Sequence, residues 1–517
     1  MTVPHSLPAY QPAPGSPEER AAYLKLLPRL KTMFEDVYPD PRAPRCVVVL
    51  PGLSLDPETL SRISGVQHYE ERQLSMLMWL RLPQTRVIFL TSTPVDEAVV
   101  DYYLGMLSGV PRSHARARLT LLSCNDASNE NLTRKVLARP RLLERVRQAI
   151  VDPTVTHLTA FNTTPDEVTM SVQLGIPLYG CDPALNHLGT KSGGRKLFRE
   201  TGVPLPDGVE DLRDLVDVAD AVVALRSRNP GLRRVVLKLE EGFSGEGNAV
   251  LDLPPVTPDK AAVAELLMRS LRPEAPGEDA PHFLAKCAEM GGIVEAWVDG
   301  EDKASPSVQM RVTPSRTLEV ISTHDQVLGG STGQVFLGST FPARVDYRAV
   351  LVEQARKVGD AMLRKGVLGR FALDFVTVKE GAGTRALALE VNLRKGGTTL
   401  PFQMLQFLTA GAVDATSGEF LTPLGQARCY YATDNLQKAS YRALTTDDLM
   451  EILVENQLHY DATRQQGVVF HLMGALSTYG KLGLVSIAAS HAQAEAQHRR
   501  VEALLDAETS RPPRPAR

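Results

Sequence analysis

Between residues 45 and 162 four short apolar runs recur: RCVVVL at Arg45–Leu50, RVIFLTSTP at 86–94, LTLLSCND at 119–126 and VTHLTAFN at 155–162, separated by helical patterns. Runs without polar alternation suit strands covered on both faces, and strands alternating with helices build a parallel, doubly wound sheet. Ligands of such sheets gather beyond the strand C-terminal ends, which here carry Thr91, Ser92, Asp126, Asn162 and Thr163. The same side chains equally suit capping of the helices that follow. No GxGxxG follows the first strand, so a dinucleotide fingerprint is lacking. The Walker pattern is absent too: the nearest decoy, residues 474–482, has Leu482 after Lys481.

A chain of 517 residues exceeds what one hydrophobic core supports. The expected organisation is an arm and amphipathic helix over 1–40, with the helix at 17–37, then a Rossmann-like α/β domain over 41–184. From residue 185 the texture changes to strand pairs with glycine-rich turns, plus helices at 260–271 and 347–365, which predicts α+β modules over 185–410. A mixed subdomain follows over 411–508, including a strand-like run at 467–476, and a disordered tail over 509–517. The formal net charge of -3 offers no field for a polyanion, so nucleic acid is not an expected partner. Five scattered cysteines without a CxxC pair read as reduced thiols. The proline-rich N-terminus has no secretory pattern, and no apolar run reaches membrane-spanning length. A cytoplasmic protein without membrane contact is expected.

Two segments carry chemistry. In residues 235–253 a strand bearing Lys238 leads into EEGFSGEGN, where Gly242, Gly245 and Gly247 let backbone N–H groups approach phosphate oxygens, with Ser244 and Glu246 between them. The alternative is a plain hairpin with a flexible loop. In residues 371–392, FALDFVTV and RALALEVN flank the turn KEGAGT. If the turn centres near Ala382, facing residues sum to about 764, which sets Asp374 opposite Glu390, with Asn392 on the same face. Facing carboxylates repel unless a cation lies between them, and magnesium at ATP takes few protein oxygens together with phosphate. The alternative is a pair of solvated acids on an exposed sheet face. Arg370 and Arg394 bracket the hairpin, either placed for phosphoryl and oxyanion contacts or as ion-pair partners for the acids. Arg394 is favoured, because Lys395 and two glycines follow it.

The order of these elements resembles the ATP-grasp superfamily. The resemblance assigns a phosphate-contacting lysine to Lys191, with Lys196 as competitor, just before a helix and GVPLP. It assigns adenine contacts to Glu295, Ala296 and Val298 in IVEAWV, and a ribose contact to Glu301. Glu390, Asn392 and Arg394 match E-x-N-x-R one for one. Over roughly residues 42–505 the chain is further similar to the pheganomycin-type peptide ligases, in YEER at 69–72, FNTT at 161–164, STHDQVLGG at 322–330, EVNLRKGGTT at 390–399 and GVVFHLMGAL at 467–476.

That resemblance implies an ATP-dependent ligase joining a small carboxylate to an amine or peptide through an acyl-phosphate, with ADP and phosphate released. It implies an ATP-grasp fold and two magnesium ions, for which manganese can substitute. For His324, Asp325 and Gln326 in STHDQ a structural or substrate-binding role is favoured over proton transfer, Lys395 and Thr398 are further substrate candidates, and the base for the attacking amine stays unassigned. The family often carries histidine where this chain has Leu400, which bears on donor or acceptor choice. A regulatory nucleotide-binding protein of the same fold, or a ligase with a thiol or ammonia nucleophile, are the alternatives. A homodimer is the base-rate expectation.

Overall fold

The computed structural model describes residues 12–55, 57–242, 245–255, 259–330, 333–381 and 383–510. Ser244, the turn residue Ala382 and the tail from residue 511 onward lie outside the described residues.

The apolar runs form a four-stranded parallel sheet of β1 (Arg45–Leu50), β2 (Thr85–Thr91), β3 (Leu119–Ser123) and β4 (Thr156–Ala160), in the order β3-β2-β1-β4. Alternate residues serve two cores. Val47, Val49, Val87 and Phe89 face one, and Val48, Leu50, Ile88 and Leu90 face the other. This is why β1 and β2 are apolar at successive positions, while β3 at the sheet edge is only half-buried and β4 carries Thr156, His157 and Thr159. The arm is helical throughout 17–37 but not of one kind: helices Pro17–Leu26 and Pro28–Thr32, joined through Leu27 in helical conformation, are followed by a wider turn, Met33–Val37. Pro28 brings no N–H to the ladder and divides it.

A second, five-stranded sheet holds β5 (Gly208–Leu212), β6 (Arg234–Leu239), β7 (Asn248–Asp252), β8 (Arg272–Pro273) and β9 (Gly292–Ala296), ordered β5-β9-β6-β7-β8 with antiparallel pairs. A third sheet begins with β10 (Pro306–Val312), β11 (Leu318–Gly329), β12 (Val335–Phe341), β13 (Gly369–Glu380) and β14 (Gly383–Asn392). It continues through β15 (Ala412–Val413), β16 (Phe420–Leu421), β17 (Ala427–Gln437), β18 (Gly467–His471) and β19 (Lys481–Ala488). Because β17 pairs with β12, the later strands extend the same ten-stranded sheet that carries the β13–β14 hairpin. The run at 467–476 is strand only as far as His471; Leu472, at φ 55°, turns the chain into a short helical turn.

Tyr430, Val468, Phe470 and Leu484 share one core with Val47 and Phe89, so the late strands pack against the first sheet. Each such side chain contributes roughly 1.5–3 kcal/mol when fully buried. Leu400 and Phe402 lie in that core as well. The segment Val66–Arg81, wound as 3-10 helix, ties the two regions together. Its Glu70 accepts from Ser92 N (2.7 Å) and Oγ (2.6 Å), and its Arg72 donates to Asp434 at 3.1 Å. No helix among the described residues is long and apolar enough to cross a membrane.

Candidate active site

A cleft of about 860 Å³ opens between the second and third sheets. The glycine-rich loop, Lys191, Lys238 and the hairpin residues Asp374, Glu390 and Asn392 all line it. Gly245 is at φ +87°, and a Cβ there would sit 2.4 Å from the carbonyl oxygen of Gln334. Only glycine lets the loop close on β12. Gly242 and Gly247 face each other less tightly, a Cβ on either meeting the other's Cα at 3.0–3.2 Å, and both border the cleft with Glu246.

In the β13–β14 hairpin Asp374 does pair with Glu390, for a reason the sequence hides. The turn sets Glu380 opposite Gly383, a register that alone would place Leu389 across from Asp374. A bulge between Asp374 and Phe375 leaves Leu389 unopposed and moves Glu390 into the pair. Leu389 itself lines the cleft. Asn392 Nδ2 donates at 3.0 Å to both Asp374 Oδ2 and Glu390 Oε1, and Lys191 pairs with Glu390. Burial and the neighbouring Glu390 push the Asp374 carboxyl well above the usual carboxylate range. Burial opposes ionisation of Glu390 too, but Lys191, Lys238 and the Asn392 hydrogen bond hold it below that range. Lys196 lies apart from this group, half-exposed and paired with Asp211 at 2.7 Å.

Beneath the loop, Glu295 accepts from Lys238 at 2.7 Å and pairs with Arg195. All three are buried, Glu295 and Arg195 to 2 % exposure and Lys238 to 7 %. Glu295→Gln would take the paired carboxylate from buried Lys238 and leave Arg195 with Glu210 alone, at 3.2 Å, and should destabilise the fold by about 3–5 kcal/mol. Chemical denaturation at unchanged m-value checks this; a midpoint equal to wild type would show that the pair carries no such weight.

Ala296 and Val298 lie on the cleft wall, together with Trp297, over whose ring Lys303 Nζ stands at 4.1 Å. Thr398, which accepts from Gln309 Nε2 at 2.7 Å, and Gln326 are on the wall as well.

Six residues singled out in the sequence stand off this cleft. Glu301 is exposed and off the wall, because the chain leaves it after Val298 and returns at Lys303. His324 is fully buried against Phe341, Phe402 and Tyr430, with Nε2 2.7 Å from the Tyr430 hydroxyl. Burial pushes its pKa down to about 3, so the ring is a neutral core group. Asp325 is spent on Tyr347 Oη (2.6 Å) and Arg344 N (2.9 Å), away from the cleft. Arg370 and Lys395 border a separate cavity, and of the residues bracketing the hairpin only Arg394 lines both. Leu400, being in the core, lines neither.

The end of the cleft beyond Arg394 holds residues to which no role was assigned from sequence: Tyr69, Arg72, Asp434 and Lys481. Lys481 Nζ reaches Tyr69 Oη at 2.7 Å. The charged string YEER inside an apolar stretch was the available signal.

The fold is that of solved ATP-binding enzymes. The biotin carboxylase complex with β-γ-ATP from Campylobacter jejuni matches with TM-score 0.52 and 12 % identity, over 90 % of this chain and 95 % of its own. An N5-carboxyaminoimidazole ribonucleotide synthetase–ADP complex matches with TM-score 0.51 and 14 % identity, over 90 % and 97 %. A family model described as "IQCH-like, ATP-grasp" matches residues 183–272 and 278–416, and one described as "PGM1 C-terminal domain" matches 448–501. The L-propargylglycine–L-glutamate ligase of Streptantibioticus cattleyicolor is 30 % identical over 456 residues, 86 % of this chain and 91 % of the relative. The chain belongs to the ATP-grasp superfamily. Within it, this ATP-grasp enzyme is an ATP-dependent carboxylate-amine ligase. IQ motif-containing protein H of Danio rerio is 23 % identical over 485 residues, and the ATP-grasp chain spans 45 % of its length.

Proposed function

We propose that the enzyme activates the carboxylate of an amino acid as an acyl-phosphate and passes it to the amine of a second amino acid or a peptide. The observation that carries this reading is the facing pair Asp374 and Glu390, closed by Lys191 and Asn392 and aimed into the same cleft as the glycine loop. The relative's printed name, a ligase of two amino acids, supports the substrate class. Residues 185–410 form the nucleotide-binding unit in this reading, with 41–184 and 411–508 closing it from either side. Two magnesium ions are carried by the family resemblance alone, a homodimer by base rate, and a cytoplasmic location by the scattered cysteines and the lack of a secretory pattern.

Lys191, Lys238 and the backbone of loop 242–247 hold the phosphates, while Ala296, Trp297 and Val298 border the base. The donor set of two carboxylates and a carboxamide fits a hard divalent cation, since Lys191 and the Asn392 amide already stand where positive charge is needed. Turning that amide presents its oxygen instead. Asp374, Glu390 and Asn392 would hold magnesium, which would supply positive charge to offset that of the phosphates. Arg394 stabilises first the transferring phosphoryl group and then the oxyanion of the adduct. Arg72, Asp434, Tyr69 and Lys481 are placed to orient the acceptor at the far end.

Metal binding requires the Asp374 carboxylate, and its folded-state pKa is raised, so Mg·ADP binding should release protons near neutrality. Affinity then rises as pH climbs above the ordinary carboxylate range and levels off once Asp374 is ionised. Calorimetry in buffers of different ionisation enthalpy reads this out; binding with no proton release, or equal release in Asp374→Asn, would contradict it. The function itself is tested by ADP release over pairs of amino acids and peptides, followed by product mass. Nucleotide binding without ADP release over a broad panel would favour the regulatory alternative.

A further inference from the structure

A second cavity, of about 310 Å³, adjoins the nucleotide cleft, and Phe161 and Arg394 stand on the walls of both. It is framed by the first sheet at Val47 and Thr159, by the arm at Phe34, and by the hairpin ends. Five cationic side chains, Arg45, Arg311, Arg370, Arg394 and Lys395, border it, and among the described lining residues there is no aspartate or glutamate. Arg311 pairs with Glu319, and Arg45 donates to the backbone carbonyl of Val37 at 3.1 Å. Of the other three, Arg394 belongs to the nucleotide cleft as well, while Arg370 and Lys395 form no ion pair among the described residues, Glu319 acting on Arg370 only from beyond ion-pair distance. Lys395 Nζ reaches Thr159 Oγ1 at 2.8 Å and Gln73 Oε1 at 3.3 Å, both neutral, and Arg370 Nη1 is buried with no hydrogen-bond partner.

A buried cation short of a counter-ion is unfavourable, and a cleft is where such a group is kept for a ligand. The volume gives room for an amino acid. Phe34, Met76 and Trp79 supply an apolar side to the same space. We propose that this cavity anchors a carboxylate that does not react, gripped by Arg370 and Lys395 while the reacting end of the substrates lies at Arg394. The inference rests on the ligase reading. The carboxylate comes either from the side chain of an acidic donor or from the α-carboxylate of the acceptor. Burial beside Arg370 lowers the Lys395 ammonium to about 7 in the free protein, and a bound carboxylate would restore its charge.

The chain has two tryptophans, and Trp79 lines this cavity, so in full-length Trp297→Phe protein the fluorescence of Trp79 reports its occupancy. Without ATP, L-glutamate, L-glutamine and L-isoglutamine are titrated. The expected result is saturable binding of at least one, weakened at least about tenfold by Arg370→Gln and by Lys395→Met. The melting temperature of the ligand-free variants should stay equal or rise, because a buried charge is removed; a merely structural role would lower it. Loss on going from glutamate to glutamine assigns a side-chain carboxylate, and loss with isoglutamine assigns the α-carboxylate. No response, three indistinguishable ligands, or unchanged affinity in the variants would overturn the proposal while leaving the ligase reading intact. A Trp79 response in an enzyme that releases no ADP with any pair would sink the ligase reading alone.

Discussion

Glu390→Gln is expected to lower ligation turnover by about 10²- to 10³-fold and to raise the magnesium concentration needed for half-maximal rate. Glu390 is the one side chain that meets Lys191, Asn392 and Asp374 together. Its loss removes the charge that keeps Lys191 in place and leaves a neutral amide against Asp374, so both the metal donor and the phosphate lysine are disturbed. Glutamine keeps the volume, so the strand pair is preserved and the loss falls on chemistry. Steady-state rates over a magnesium series decide it. A variant with wild-type turnover at ordinary magnesium would take Glu390 out of the site.

Arg394→Met should cost a similar factor, about 10²–10³ in kcat, with KM for ATP close to wild type. The reasoning is positional: Arg394 lines the nucleotide cleft and the adjoining cavity, so it stands where phosphoryl donor and acyl group meet. A charge aimed at that point stabilises what develops during transfer more than it binds ATP. If KM for ATP rose tenfold while kcat held, Arg394 would be a nucleotide contact instead.

The first sheet was legible because β1 and β2 are covered on both faces and carry no polar alternation. The pairing of Asp374 with Glu390 was legible by register arithmetic, yet the arithmetic reached Glu390 through two departures that cancel. The turn is centred half a residue earlier than assumed, and the bulge adds one residue on β14. A bulge leaves no mark in composition. That Glu301 stands off the cleft wall, and that His324 takes the structural of its two expected roles, could not be read for a common reason: a string shows which residues are neighbours along the chain, not which way it turns. The chain leaves the cleft wall after Val298, and His324 is drawn into an aromatic core built from Phe341, Phe402 and Tyr430, residues distant in sequence. Tyr69, Arg72, Asp434 and Lys481 were hidden for the same cause, since Arg72 and Asp434 are 362 residues apart.

The central claim, activation of a carboxylate by the γ-phosphate at this site, is met most directly by isotope transfer. A donor acid labelled with ¹⁸O in its carboxylate, turned over with ATP and an amine, should deliver one labelled oxygen to inorganic phosphate alongside ADP. Label appearing in AMP, with pyrophosphate as the partner product, would contradict it.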